Sequence, residues 1–156
     1  MRDRELVLRL LEPGDDDRIA ALLAEPAVKR WWADGEYERE HGWVAEVDGA
    51  FAGWIQYEEE IDPSWRSVAF DLSVATALHG RGYGRRMLRL AIAHFVEKGH
   101  HRFTIDPDVA NERAIRCYAG AGFEPVGVMR AYERDATGAW HDSLLMDLVV
   151  LDGELR

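Results

Sequence analysis

A glycine-rich segment that could bind phosphate lies near the middle of the chain. It reads His79-Gly80-Arg81-Gly82-Tyr83-Gly84 and stands between a strand-like apolar stretch and a stretch with helical periodicity. A pyrophosphate at the start of a helix accepts hydrogen bonds from unpaired main-chain N–H groups, provided that no Cβ blocks its approach. Alternate glycines meet this condition, and Arg81, Arg85 and Arg86 add positive charge. Glycine can also serve only to allow positive φ in a turn, so both interpretations stay open.

Two side chains outside this segment could take part in proton transfer. Tyr118 falls in a stretch of helical spacing, and its phenol, with a reference pKa of about 10, stays protonated at neutral pH and could act as a proton donor. Asp71 interrupts an apolar strand, where a carboxylate is costly unless it faces a cleft or a partner. There it could hold an ammonium group and accept its proton. The alternatives are an ordinary half-buried tyrosine and a buried structural aspartate.

Acidic and aromatic residues could form a pocket for a cationic ligand. Asp106, at the end of the next predicted strand, offers a second carboxylate, although an Asp-Pro pair also forms turns. The acidic stretch 58–63, which we expect in a loop, could line the pocket rim or be a solvated charge run. Aromatic faces pack against sugar rings and cations. We therefore place Trp32 and Tyr57 at the pocket, and expect at least one of Trp31 and Trp32 in the core.

The other reactive side chains predict no further chemistry. The single cysteine, Cys117, has no activating base beside it in the sequence, so we expect a small buried thiol rather than a nucleophile. The six histidines show no zinc-ligand spacing. We therefore expect neither a disulfide nor a metal site.

Length and charge narrow the class of protein. The chain has 156 residues, which is one ordinary domain spanning 1–156. No apolar run approaches the roughly 18 residues that a membrane span requires, and the first five residues do not resemble a signal peptide. The net charge of −10 should repel nucleic acid and anionic membranes and attract cationic ligands. We expect a cytoplasmic protein that binds neither nucleic acid nor membrane; the negative charge fits a small polyamine ligand, but a role in solubility alone would also explain it.

The hydrophobic pattern predicts the elements that position these residues. Apolar runs with turn signals between them predict strands at 6–11, 42–47, 51–57, 68–74, 103–105, 125–133 and 140–151. Asp48-Gly49 is typical of a type I′ hairpin turn. Helical spacing follows Asp15 and Arg85, and Asn111 could cap a helix that ends at Gly122. The order β-α-α-β-β-β-α-β-α-β-β predicts an α/β (α+β) fold, a mixed sheet of six to seven strands with helices on both faces.

Two motifs in this order resemble the GCN5-related N-acetyltransferase (GNAT) superfamily. The family's pyrophosphate motif, (Gln/Arg)-x-x-Gly-x-(Gly/Ala), lies between its fourth strand and third helix and is matched by residues 79–84, with His79 in place of Gln or Arg. The helix motif N-x-x-A-x-x-x-Y-x-x-x-G-F-x is matched from Asn111 to Glu124. The resemblance extends over essentially the whole chain and implies the GNAT fold.

The resemblance also implies a cosubstrate and its contacts. The cosubstrate is acetyl-CoA, without a metal, and Tyr118 is the general acid. The implied coenzyme-binding residues surround the two motifs: Leu72, Ser73, Val74, His79, Gly80, Arg81, Gly82, Tyr83, Gly84, Arg85, Asn111, Ala114 and Tyr118. The backbone cradle needs no side chain at position 79, so the change to histidine puts only one phosphate contact in question.

Within the superfamily, the chain is similar to the aminoglycoside 6′-N-acetyltransferases. The shared stretches are Trp31-Trp32, residues 58–63, and a D-P-x-x-x-N-x-R-A-I-R-C-Y block from Asp106 to Tyr118. Those enzymes carry an aspartate at the position of Asp71, which implies an acceptor-side role for Asp71. This narrower resemblance predicts acetylation of a 6′-amino group and antibiotic resistance.

Other acceptors and a different class of function stay open at this point. Acetyltransferases of siderophore precursors, which modify a hydroxylated lysine side chain, share much of the architecture, and a protein N-terminus is a further possible acceptor. A non-catalytic acyl-CoA-binding domain would retain the fold without turnover. The sequence does not decide between a monomer and a homodimer.

Overall fold

A single mixed β-sheet forms the centre of the computed structural model, which describes residues 1–32, 36–152 and 154–155. Its strands are β1 (Arg2–Asp3), β2 (Leu6–Arg9), β3 (Gly42–Val47), β4 (Ala50–Glu60), β5 (Ser67–Val74), β6 (Arg102–Ile105), β7 (Glu124–Arg134), β8 (Trp140–Leu151) and β9 (Glu154–Leu155). The helices are α1 (Asp15–Ala24), α2 (Pro26–Lys29), α3 (Tyr83–Glu97) and α4 (Glu112–Ala121), with a 3₁₀ turn at Thr76–Leu78. None of the helices in these ranges is long and apolar enough to cross a bilayer.

The predicted order of elements is confirmed, with two differences in the strands. The described residues contain nine strands rather than six or seven, because β1 and β9 have only two residues each and are too short to show a pattern. The expectation of a loop beginning at Glu58 is wrong. Strand β4 continues to Glu60, because the paired strand β5 supplies main-chain partners as far as Ser67. The carboxylates of Glu58 to Glu60 therefore project from a strand.

The sheet opens between its two central strands. The order is β1-β2-β3-β4-β5-β6-β8-β7, and β5 and β6 form its parallel pair. Their pairing comprises Val68 with Phe103 and Ala69 with Thr104, whereas β5 continues to Val74 and stays paired with β4. Beyond Ala69, the main-chain groups of β5 on the side of β6 have no strand partner. A gap therefore opens in the middle of the sheet.

Helices cover both faces of the sheet, as predicted. Because side chains alternate along a strand, Trp43 and Ala45 of β3 pack in one core cluster with α3 and α4, while Val44 packs in a second cluster with α1. The cap signals are confirmed as well. The Asn111 side chain accepts a hydrogen bond from the Ala114 N–H at 3.2 Å, and Gly122 ends α4 with φ 114°. These caps fix where α4 begins, beside the gap.

Candidate active site

A cavity of about 1310 Å³ lies at the gap between β5 and β6. All but one of the predicted site residues line it: Trp32, Tyr57, Asp71, Leu72, Ser73, Val74, His79, Gly80, Gly82, Tyr83, Gly84, Arg85, Asp106, Asn111, Ala114 and Tyr118. The exception is Arg81, whose exposed side chain lies outside the lining of the cavity. The fold thus brings the two motifs and the isolated carboxylates around one space.

The glycine segment leaves open space beside the start of α3. Gly80 and Gly82 have φ of 76° and 81°, where a side chain is strained, and Gly82 caps the helix. A Cβ built on either residue would meet no atom within 4 Å. The first N–H groups of any helix lack intrahelical acceptors. An anion can therefore approach the main chain of this turn, as the sequence predicts.

Gly84 allows α3 and α4 to pack closely, because it has no side chain. A Cβ at this position would lie 3.0 Å from the Cys117 sulfur and 3.6 Å from a Leu72 methyl group. The start of α3 therefore packs directly on α4. Burial raises the pKa of the Cys117 thiol, which disfavours the thiolate and agrees with a packing role for this residue.

The arginines near the glycine segment have different roles. Arg85 lines the cavity and packs over Gly120. The expectation that Arg86 adds charge to the segment is wrong. Its Nε donates to Asp3 at 2.6 Å and its Nη1 to Glu5 at 2.7 Å, so it ties α3 to the β1–β2 hairpin.

His79 is engaged through both ring nitrogens. Nε2 lies 2.7 Å from the Val74 carbonyl oxygen, and Nδ1 is hydrogen-bonded to Nη1 of Arg113. A guanidinium can only donate, so Nδ1 accepts and Nε2 carries the proton. The imidazole is therefore neutral and connects the end of β5 to the start of α4.

Tyr118 lies on the buried side of α4 and is 9% exposed. Burial, followed by the nearby Cys117, Asp71 and Asp106, raises its pKa well above the ordinary range of a phenol. The hydroxyl therefore stays protonated throughout the physiological range. It is available as a hydrogen-bond or proton donor to a group inside the cavity.

Asp71 has an unusual environment for a carboxylate. Its side chain is reachable by water through the open cavity, yet protein surrounds it on most sides. Desolvation, with a smaller contribution from the Asp106 charge, raises its pKa to about 6, while a hydrogen bond from Gln56 acts in the opposite direction. Burial also raises the pKa of Asp106. Both carboxylates are stronger bases than an exposed aspartate and lack a cationic partner among the described residues.

Two residues of β7 lie at the same end of the cavity as Asp71 and Asp106, which we call the acidic end, and were not predicted from the sequence. The register of β7 against β8 shifts between Met129 and Glu133, where Ala131 has φ 48°. Tyr132 and Glu133 of this bulge line the cavity. The Tyr132 hydroxyl donates to Asp106, and the Asp106 charge raises the Tyr132 pKa to about 12. Alternation along a predicted strand gives no signal for a bulge, so the sequence offered no indication of this placement.

Two aromatic residues of the site also pack against the core. Tyr57 lines the cavity and stacks on Trp43 with ring centroids 4.9 Å apart. Trp32 lines the cavity, packs against the α1 cluster, and donates its indole N–H to the Glu36 carbonyl oxygen at 2.5 Å. The core therefore fixes the positions of these two rings. Trp31 also lines the cavity but lies under the Arg30 guanidinium, 4.6 Å from its ring centroid.

Metal ligation has no support in the part of the chain that the structure describes. No group of three or more His, Cys, Asp or Glu side chains there could hold an ion.

Comparison with known proteins gives one family and several relatives. The profile of the acetyltransferase (GNAT) family matches residues 10–123. A segment of 82 residues, 52% of this chain, is 38% identical to an aminoglycoside N(6′)-acetyltransferase type 1 of Klebsiella pneumoniae, and spans only 39% of that relative. A kanamycin resistance protein of Rhizobium radiobacter is 38% identical over 74 residues, which are 47% of this chain and 68% of that protein.

Solved structures show the same fold. Spermidine N-acetyltransferase from Vibrio cholerae, in complex with CoA and spermine, superposes with a TM-score of 0.79. The superposition covers 94% of this chain and 96% of that one, with 21% sequence identity. At this identity, the likeness concerns the fold alone.

Proposed function

This chain belongs to the GNAT family of acetyltransferases, and from that premise we propose that it transfers an acetyl group from acetyl-CoA to the 6′-amino group of an aminoglycoside. One observation carries the proposal: a glycine turn with room for an anion and a cluster of carboxylates line the same cavity. The first suits the phosphates of a coenzyme, and the second suits a polycationic acceptor.

Main-chain groups of the protein at the glycine turn and on β5 are suited to bind an acyl-CoA. The open space at Gly80 and Gly82 leaves room for a pyrophosphate at the start of α3. The Val74 carbonyl oxygen faces the gap, since it accepts from His79, and Leu72, two residues earlier, presents its main chain on the same side. An amide-containing chain can pair with these groups as an added strand. Bound acetyl-CoA would supply an activated thioester carbonyl.

Asp71 and Tyr118 can serve the two ends of the proton path. Amine attack on a thioester requires a neutral amine and a protonated leaving thiol. With its pKa raised to about 6, Asp71 is largely ionised at neutral pH and is a better base than an exposed aspartate. Tyr118 is protonated and buried, and it donates toward the departing sulfur. A cationic acceptor near Asp71 and Asp106 offsets two of the charges that raise the Tyr118 pKa, which eases this donation.

The acidic end supports a polycationic acceptor. Four carboxylates line the cavity, namely Glu58 of β4, Asp71 of β5, Asp106 directly after β6, and Glu133 of β7. Burial is the main cause that raises the pKa of Asp71, and the negative charges of Asp106, Glu133 and Glu58 add to it, so a bound cation would relieve repulsion there. Several amines spread over one molecule would relieve this repulsion better than one amine. The named activities of the Klebsiella and Rhizobium relatives agree with an aminoglycoside.

Thiol release from acetyl-CoA tests the proposal directly. We expect turnover with kanamycin, and none with an analogue whose 6′ substituent is a hydroxyl group. Spermidine, N6-hydroxylysine and short peptides serve as competing acceptors. Turnover of peptides alone or spermidine alone would contradict the aminoglycoside assignment. Binding of acetyl-CoA without turnover of any of these amines would instead indicate an acyl-CoA-binding protein.

A further inference from the structure

We propose that Arg113 binds the pyrophosphate of the coenzyme and that His79 positions it for this contact. The inference rests on the proposed use of acetyl-CoA. It concerns the point at which this chain departs from the (Gln/Arg)-x-x-Gly-x-(Gly/Ala) pattern, where His79 stands first.

His79 cannot itself serve as a phosphate ligand in this arrangement. Its Nε2–H donates to the Val74 carbonyl oxygen at 2.7 Å, and its Nδ1 accepts from Arg113. Both polar atoms of the ring are therefore engaged, and the neutral ring carries no charge for an anion. The imidazole instead fixes one nitrogen of the Arg113 guanidinium, which is 34 residues further along the chain.

Arg113 lies on the face of α4 that is turned toward the glycine segment. Arg113 and Cys117 are four residues apart and share a helix face. Cys117 contacts the start of α3, because its sulfur would lie 3.0 Å from a Cβ on Gly84. The positive charges of Arg113 and Arg85 both act on the Cys117 thiol. Both guanidiniums therefore converge where the glycine turn meets α4.

The remaining donors of Arg113 are free to bind an anion. Arg86 and Arg116 form ion pairs with carboxylates, at 2.6 Å to Asp3 and 3.6 Å to Glu112, whereas Arg113 forms none with any described residue. A guanidinium has five N–H donors, and His79 occupies one. Arg113 lines the cavity, and the fork of a guanidinium matches the geometry of phosphate oxygens. His79 therefore supplies no charge itself but positions the Arg113 cation of α4 beside the glycine segment.

Calorimetry with CoA and with dephospho-CoA, which keeps the pyrophosphate but lacks the 3′-phosphate, tests the assignment. We expect Arg113→Ala to weaken the binding of both ligands by about 10- to 150-fold, the range for a lost charged hydrogen bond. Arg113→Lys should recover part of the loss. Arg89→Ala removes the same charge from an exposed position of α3 outside the cavity lining, and should bind both ligands like the wild type.

The positioning role of His79 has its own readout. We expect His79→Ala to weaken CoA binding less than Arg113→Ala does, and to have no further effect in the Arg113→Ala background, because residues that act through one contact are not additive. His79→Gln, whose side-chain oxygen can accept from Arg113, should restore binding when Arg113 is present and not in the Arg113→Ala background, which separates positioning of Arg113 from a direct contact between glutamine and phosphate. A merely structural histidine would give additive losses and no rescue.

Three results would overturn the inference. The first is wild-type affinity of Arg113→Ala and Arg113→Lys for CoA. The second is a loss confined to CoA and absent with dephospho-CoA, which would place Arg113 on the 3′-phosphate. The third is additivity of the His79 and Arg113 substitutions. All of these presuppose that the wild type binds CoA; failure of the wild type to bind either ligand would refute the proposed function itself.

Discussion

The two ends of the cavity are built from different parts of the chain. At the end proposed for the coenzyme, called the coenzyme end, the proposed binding groups are main-chain N–H groups of one continuous turn, from Gly80 to Gly84, and the Arg113 guanidinium beside it. At the end proposed for the acceptor, called the acceptor end, the carboxylates lie on or directly after strands from β4 to β7, and Asp71 and Glu133 are 62 residues apart. One end is local and made of backbone; the other is assembled by topology and made of side chains.

This difference has an energetic consequence. Main-chain donors at a helix start are unpaired in every helix, so the coenzyme end has its binding groups before any ligand arrives. The acceptor end buries carboxylates close to one another; burial, with a smaller contribution from neighbouring negative charges, raises the pKa of Asp71 to about 6 and that of Asp106 above its ordinary value. A bound cation would therefore stabilise the ionised carboxylates of the acceptor end. Substitutions and changes in salt concentration should therefore affect coenzyme binding and acceptor binding differently.

The largest effect is expected from Gly82→Val, which alters only the coenzyme end. A β-branched residue is strained at φ 81°, and its side chain would enter the open space left for the pyrophosphate. We expect calorimetry to show that CoA binding is lost while acceptor binding persists. Gly127→Val is the matched control, since Gly127 has an ordinary φ, open space and a position outside the cavity lining. Equal, small effects of both variants would place the phosphates elsewhere.

Tyr118→Phe tests the point where the two ends meet. It keeps the buried ring and removes only the hydroxyl, so both substrates should bind as in the wild type while kcat falls by about 10²- to 10⁴-fold, as for a lost general acid. Steady-state kinetics with calorimetry of each ligand make the measurement. A variant that keeps more than about a third of wild-type kcat, with chemistry rate-limiting, would show that water protonates the thiolate.

Asp71→Asn should alter the acceptor end alone. We expect acceptor KM to rise and kcat to fall together, with a combined loss in kcat/KM of about 10²-fold and unchanged CoA affinity. Because Asp71 must be ionised to hold and deprotonate an ammonium group, wild-type kcat/KM should fall as the pH drops through about 6. The Asp71→Asn variant should not show this decrease in kcat/KM at low pH. Asp62→Asn, an exposed carboxylate outside the cavity lining, is the control; an identical pH profile for Asp71→Asn and wild type would contradict the role of Asp71.

Salt should give the smallest and most general contrast. Raising the concentration from about 0.05 to 0.5 M shortens the Debye length from roughly 14 to 4 Å. The acceptor KM should then rise several-fold, and clearly more than the KM of acetyl-CoA, whose binding depends largely on fixed main-chain donors. Initial rates at several salt concentrations provide the comparison. An acceptor KM that does not respond would remove the electrostatic argument for the acidic end.

Features with a short-range cause could be predicted from the sequence. The Asp48-Gly49 turn has positive φ at both residues, as a type I′ hairpin requires, and Asn111 caps α4. The glycine turn, the order of elements and the placement of Asp71 and Tyr118 at one cavity also agree with the sequence-based expectation. Each of these follows from residues that act on their immediate neighbours, or from a motif whose spacing a family shares.

Features that depend on long-range partners were decided only by the tertiary structure. Strand β4 extends to Glu60 because β5 pairs with it, Arg86 is drawn to Asp3 and Glu5 of the first hairpin, and the bulge of β7 turns Tyr132 and Glu133 into the cavity. The sequence by itself determined the coenzyme turn and the identities of the reactive groups, because backbone conformation at glycines and caps is a local matter. The electrostatics of the acceptor end were settled only by the fold, because a carboxylate's pKa depends on which distant charges and surfaces surround it.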